Sequence, residues 1–475
     1  TAGYPVVEYA PPANADTDPD PADLAARRAT RFAETSDAAT GHRRRTTTNP
    51  DGTTIVTENA TDGHLLKIAG TGTHHRRYEY GVEVPPGSSG AAMRFTRTIL
   101  QAPDGSDSAE WEKSYIDRNG RAVRSRGSSG ATNLSSYNEK GQLASNTDPD
   151  GVTTLYAYDG RGRLEITAVD LNRDGDINFD GTDPITKTTT GPAERNGRTV
   201  IRMLTLAWAE DGDENSVSEL SRVETSTDGR DTWSSSDGLE THTVTSYSGS
   251  GNITSHTGYP DGTSQQSITL AGRLRSVTHW DNAGTPVTEA LYDYDELGRT
   301  EAVTDARNGT TSITYYADDS TSSTTTPAPD GAGGAQLPRT TSLSYDLAGR
   351  RSLVTLPDSS AADPKTVTYQ YYPTGELRSR SGSRIYSTGY TYDYAGRPKT
   401  LSSGSGTTTW HYFPDSGLLQ SKRDADGRGP SFTYTPAGRL LTRSLARGPQ
   451  RHTSYGDDGL PRTVDYFSGG DGLSL

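Results

Sequence analysis

A glycine returns every 21 residues along much of this chain, and few folds can carry that beat. The glycines that close each turn are Gly120, Gly141, Gly162, Gly251, Gly272, Gly298, Gly349, Gly375, Gly396, Gly417, Gly438 and Gly459, and seven of the eleven intervals are 21 residues. Self-similarity at a fixed period of this size marks a repeat architecture. The residue four before the glycine is tyrosine in nine of the twelve, and Ile116, Ile268 or Phe413 in the others. Aspartate stands three before it at Asp117, Asp159, Asp295, Asp346 and Asp393.

These offsets describe a turn. Aspartate suits the first position of a type I turn because its carboxylate caps nearby backbone N–H groups, and glycine suits the fourth because the chain there needs positive φ. Such a turn reverses a hairpin. Asp295-Glu296-Leu297-Gly298 fits it, with Tyr294 ending the incoming strand and Arg299 starting the outgoing one. A second turn follows about ten residues on, at Asp150-Gly151, Asp261-Gly262, Asn308-Gly309, Gly406 and Asp426-Gly427. Each unit therefore reads strand, turn, strand, turn, with strands of roughly 6–8 residues. Tyr390, Tyr392 and Tyr394 share one strand face at period two. The prediction is all-β: one long antiparallel hairpin meander.

Composition decides how such a sheet is built. Apolar residues are 30% of the chain, mean hydropathy is -0.77, and there are 52 Gly and 26 Pro. That is too little apolar surface for a thick core. Yet there are 26 Tyr against 6 Phe, and tyrosine favours strands. A single-layer wall reconciles the two. Curling it into a hollow or barrel-like shell protects the edges that a long meander exposes.

The first expected segment is 1–48, an irregular N-terminal linker or clasp with one short helix within 21–34. Residues 49–164 form the first repeat strands. Residues 165–245 are an irregular β insertion that loses the beat, and 246–475 are a regular repeat shell. The Ser-, Thr- and Pro-rich run 318–338 reads as a mobile surface loop within that shell. Opening on Thr1 without a signal-peptide pattern and stopping at Leu475, the chain reads as a piece of a longer polypeptide.

YDGRGRL, residues 158–164, resembles the repeat of the RHS/YD-repeat family, a Tyr-Asp pair followed by two residues and Gly-Arg-Leu. The resemblance covers about 110–470 and is strongest at 285–465. Family members include bacterial polymorphic toxins, the cocoon subunits of insecticidal toxin complexes, wall-associated bacterial proteins and teneurins. The resemblance implies a β-sheet spiralling into a hollow shell, which in many toxin members encloses a C-terminal effector. It implies a secreted or cell-surface protein whose partner is its own C-terminal toxin or core segment, outside this stretch. The rival reading is a secreted or cell-surface adhesion module that binds carbohydrate or a surface protein on its outer face. Nothing after Gly459 offers the family's core-associated segment or self-cleavage site.

The formal charge of -14 argues against a nucleic-acid partner. GHRRR (41–45) and HHRR (74–77) read as solvated surface. No apolar run approaches the roughly 18–20 residues of a membrane-spanning helix. The chain has no cysteine, no G-x-S-x-G and no H-E-x-x-H, and its nine histidines show no ligand spacing. A non-enzymatic protein is expected. The turn aspartates are explained by backbone capping, and the arginines after the glycines by pairing with turn or cross-strand carboxylates.

One motif stands apart, DLNRDGDINFDGTD at 170–183. Asp170, Asn172 and Asp174 fall at positions 1, 3 and 5 of an EF-hand-like calcium loop, with Gly175 at 6, Asp176 at 7 and Asn178 at 9. Calcium takes six to eight oxygens, which short acidic side chains around a glycine turn deliver. Asp176 would contribute its backbone carbonyl. Position 12 is Gly181, so Asp180 or Asp183 is left to close a Ca2+ site. The alternative is an acidic, hydrated hairpin loop. EDGDEN (210–215) lacks the spacing and reads as a solvated loop.

Overall fold

The computed structural model describes residues 7–9, 29–179, 183–208, 217–249, 251–305, 307–331, 335–360 and 362–467. Among them 37 strands form one sheet and there is no helix. Each strand pairs antiparallel with its neighbours in the chain, from Val7–Tyr9 against Ala29–Ser36 to Gln450–Tyr455 against Pro461–Phe467. The expected meander is the fold.

The turn chemistry explains the repeat residue by residue. Asp295 Oδ1 accepts the N–H groups of Leu297 (3.0 Å) and Arg299 (2.8 Å), and Gly298 N–H returns to the Asp295 carbonyl at 2.9 Å. Gly298 sits at φ 85°. Arg299 Nε donates to Asp295 Oδ2 at 2.7 Å, and the same ion pair joins Asp117 to Arg121, Asp159 to Arg163, Asp346 to Arg350 and Asp393 to Arg397. Beside the turn the strand register slips by one residue, between Asp293 and Tyr294 here and at the corresponding place in the other units. This bulge tightens the twist of the hairpin.

Why tyrosine and not phenylalanine stands before the turn is also visible. The hydroxyls of Tyr158, Tyr392, Tyr434 and Tyr455 donate to the carbonyls of Leu143, Leu377, Leu419 and Leu440 at 2.7–3.0 Å. Each acceptor is the first residue of a strand in the preceding unit, 15 residues back. The arginine of one turn lies over the tyrosine ring of the next: Arg121 over Tyr137 at 4.7 Å, Arg299 over Tyr315 at 4.6 Å, Arg397 over Tyr412 at 4.6 Å. Consecutive units are thus joined by a hydrogen bond and a cation–π contact. Tyr158→Phe is expected to cost about 1 kcal/mol in urea unfolding, the usual net worth of one such bond. Tyr386→Phe, at a side chain 89% exposed, is expected to change nothing measurable.

The core is thin. Buried apolar side chains such as Ile99, Tyr115, Val200 and Val354 are strung along the wall. One cluster gathers Leu155, Ala168 and Ile185, with Ile166, Ile177, Phe179 and Trp208 packed against it.

Three local expectations differ from the structure. Within 1–48, Ala29–Ser36 and Arg43–Thr48 are strands, so residues 29–34 are extended and not helical. Ala29–Ser36 is paired on both sides, and tertiary pairing overrides helix propensity there. Residues 10–28 lie outside the described residues. Within 165–245 the same meander continues with longer strands, 11 residues in Ile185–Arg195 and Arg198–Trp208 and 10 in Val217–Ser226. Lengthening the strands is what erases the beat. Within 318–338, Thr321–Thr326 is a strand between Gly309–Tyr315 and Arg339–Tyr345. Its threonines are β-branched and suit a strand. The turn before it puts Asp319, 21 residues after Gly298, at φ 64°. Aspartate tolerates that conformation, so a unit lacking its glycine went unseen.

Candidate functional site

The second class of turn, ten residues after the first, proves to be a docking element. Asp148-Pro149-Asp150-Gly151 fits against the turn Thr435–Arg439, nearly 290 residues later. Asp150 Oδ2 accepts the Thr435 hydroxyl at 2.7 Å, Asp150 Oδ1 accepts Ala437 N–H at 3.0 Å, and Arg439 Nη1 donates to Asp150 Oδ2. Arg439 Nη2 reaches Asp148 Oδ2 at 2.6 Å. Farther along, Glu110 takes Arg397 through both guanidinium nitrogens, at 2.6 and 2.9 Å, and the Tyr394 hydroxyl at 2.5 Å. His74 meets Glu376, the Ser128 hydroxyl donates to the Asp415 carbonyl, and Arg350 reaches Asp51 at 3.3 Å.

All these contacts span 284–302 residues. So narrow a range of offsets has one geometric meaning: the ribbon of strands completes a circuit and lays its next circuit against the first. At two places along this seam, Asp51 and Asp150, an Asp-Gly turn of the first circuit faces a repeat turn of the second; elsewhere a loop or strand residue such as His74, Glu110 or Ser128 takes that place. The seam is polar, and its Arg397–Glu110 pair is bidentate, which imposes geometry as well as attraction. It borders open clefts, one of ≈ 880 Å³ reached by Glu110, Trp111, Asp148, Asp415 and Arg439.

Two seam carboxylates, Asp150 and Glu376, are held below their usual range. Burial pushes Asp150 up, but the Thr435 hydroxyl, the Ala437 N–H and the Arg439 guanidinium outweigh it and hold the carboxyl below its usual range. Burial likewise opposes, and the Thr374 hydroxyl, its own backbone N–H and His74 overcome, the shift that lowers Glu376. At the neighbouring turn, hydrogen bonds from Arg77 and then Gln101 bring Asp107 down to about 2. A carboxylate depressed on folding adds stability that is complete above its unfolded pKa and lost as pH falls through the folded one. The seam is therefore expected to be at full strength from about pH 5 to 7 and to weaken below about pH 4. Small-angle scattering against pH should show expansion only in that acid range; expansion centred above pH 6 would contradict it.

The residues expected to bind calcium lie on the same edge of the ribbon, in the loop between Leu164–Val169 and Ile185–Arg195. Asp170 and Asp183 are buried at its base, while Asn172, Asp174 and Asp176 are exposed. Asp183 does not stand as a free closing oxygen: its Oδ1 accepts Leu171 N–H at 3.1 Å and its Oδ2 accepts Asn178 N–H at 3.0 Å, so it clamps the loop. Asp180 and EDGDEN lie outside the described residues. Among the described residues no three His, Cys, Asp or Glu side chains converge as a metal site. Spacing alone gave no sign of the seam. The Asn49-Pro50-Asp51-Gly52 and Asp148-Pro149-Asp150-Gly151 turns that build it do stand out by their shared proline.

Residues 137–175 match the RHS Repeat family model. The likeness to RHS repeats holds for that segment. The wall is also similar in fold to solved structures. It superposes on TcdB2-TccC3-TEV with TM-score 0.55 at 14% identity, over 91% of this chain and 25% of that one. It superposes on TcdB2-TccC3 without hypervariable C-terminal region with TM-score 0.56 at 14% identity, over 92% and 24%. For TcdB2-TccC3-Cdc42 the values are 0.51, 13%, 92% and 24%. The chain thus spans about a quarter of the length of those chains, and at this identity the likeness is one of fold. No curated protein matches the chain in sequence. An antiparallel meander wound upon itself is the fold expected from the repeat.

Proposed function

We propose that this segment is part of the wall of a hollow RHS shell in a secreted protein, and that the shell holds a polypeptide, a toxin carried by the same protein. The observation that carries this reading is the narrow range of offsets, 284–302 residues, across the seam. A ribbon that returns to itself surrounds a volume; a flat meander does not. The fold likeness to TcdB2-TccC3 chains agrees with it, as does one such structure being described as lacking a hypervariable C-terminal region. The wall's own role in this reading is structural: the turn aspartates and the arginines after the repeat glycines are engaged with one another and with the seam. Adhesion through the outer face is the competing outcome.

Limited proteolysis of the intact polypeptide tests the reading. The C-terminal region should survive protease while the wall is whole and be digested when acid or a seam variant opens it. Equal digestion in both states would count against containment.

A further inference from the structure

We propose that the loop 170–178 is a calcium site, formed by Asp170 Oδ1, the Asp174 carboxylate, the Asp176 backbone carbonyl, Asn178 Oδ1 and the Asn172 carboxamide oxygen, the last after rotating away from the orientation in which Asn172 Nδ2 faces Asp174 and Asn178. Two independent observations carry it beyond the spacing of the residues. First, Asp170 is 6% exposed, its Oδ2 accepts Gly175 N–H at 3.1 Å, and its Oδ1 is buried with no hydrogen-bond donor. An ionised oxygen buried without a partner is costly. Second, Asn178 Oδ1 stands 2.9 Å from the Asp176 carbonyl oxygen and 3.3 Å from Asp174 Oδ1. Asn178 Oδ1 thus faces two other acceptors, with a 3.5 Å approach of Asn172 Nδ2 as its own offset, while Asp174 Oδ1 also takes the Asp176 N–H at 2.8 Å. Oxygens crowd in this way around a cation whose ligands stand at 2.3–2.6 Å.

Turning the Asn178 amide over would also relieve the crowding, by presenting its N–H groups to Asp174 and Asp176. That alternative leaves Asp170 Oδ1 without a donor; a cation satisfies both sites at once. The donor set is all oxygen: two carboxylates, two carboxamides and a carbonyl. It suits calcium and offers nothing to zinc. With only two carboxylates among these ligands, the site belongs with the weaker calcium modules, with Kd on the order of 10⁻⁴ M.

The loop is also placed to matter. Ile177 and Phe179 pack on the Leu155–Ala168–Ile185 cluster, Phe179 edge-on to Trp208 at 5.0 Å. Arg173, at φ 62°, reaches Asp457 of the next circuit at 3.2 Å. Calcium would fix a loop that spans core and seam.

The test is calcium titration of the chelator-treated full chain by calorimetry and thermal unfolding, with terbium emission excited through Trp208 as a second readout. One ion per chain, a higher Tm in calcium than in magnesium, and terbium emission displaced by calcium are expected. Asp170→Asn should weaken binding roughly tenfold or more. Asn178→Asp separates the two explanations without relying on a loss. With a cation, the added charge lowers Tm in chelator and binds calcium more tightly than the parent. With a turned amide, it lowers Tm equally with and without calcium. That equality, or a parent chain that neither releases heat nor changes Tm with calcium, would overturn the proposal.

Discussion

Asp150→Ala is expected to part the two circuits where they meet at 435–439 and to cost about 3 kcal/mol, the scale for removing one partner of a largely buried ion pair. Its side chain is 17% exposed. Its loss strips the Thr435 hydroxyl and Ala437 N–H of their acceptor and leaves Arg439 with Asp148 alone. Asp150→Asn keeps an acceptor and should cost less. The chain contains no cysteine, so spin labels at the exposed neighbours Ser129→Cys and Ser416→Cys report the seam without background. A short, narrow distance in the parent should broaden in Asp150→Ala. An unchanged distribution with unchanged stability would mean that this contact does not hold the circuits together.

Glu224→Ala should be more damaging, by about 3–5 kcal/mol. Glu224 is 1% exposed and accepts Arg195 Nη1 and Arg202 Nε, both at 2.6 Å. Burial works to raise its carboxyl pKa, and the two guanidinium groups more than reverse this. Arg195 also pairs with Glu240 and lies 4.6 Å over Trp233, so the network joins strands across Ile185–Ser248. Removing the carboxylate leaves the Arg195 and Arg202 guanidinium groups without the buried acceptor they share, Arg195 keeping only Glu240. Glu224→Gln retains an acceptor and should recover part of the loss. Urea unfolding checks both; a cost under about 1 kcal/mol for alanine would show that water replaces the carboxylate.

How much of this was legible in the sequence follows from the range of each interaction. The turn, its glycine and the aspartate that caps it lie within five residues, and they read correctly from offsets alone. The tyrosine pattern was visible, but its reason was not, because the hydroxyl reaches a carbonyl 15 residues away in the previous unit. Asp319 hid a unit by taking the left-handed position without being glycine. The long strands between Ile185 and Ser248 erased the period while keeping the fold. The seam joins residues 284–302 apart, and no local pattern encodes which turn meets which. Its ingredients, Asp-Pro-Asp-Gly and the arginine after the repeat glycine, looked like ordinary turn chemistry. The acidic loop was legible as a calcium-type spacing, whereas the clamping role of Asp183 appears only once both of its oxygens are seen to hold backbone N–H groups.

A cryo-electron-microscopy map of the intact polypeptide tests containment most directly. The predicted result is a spiral wall in which the turn at Asp148–Gly151 abuts Thr435–Arg439, surrounding a lumen that holds additional polypeptide density. A ribbon whose circuits do not touch, or a closed wall around an empty interior, would contradict it and turn attention to ligands of the outer face.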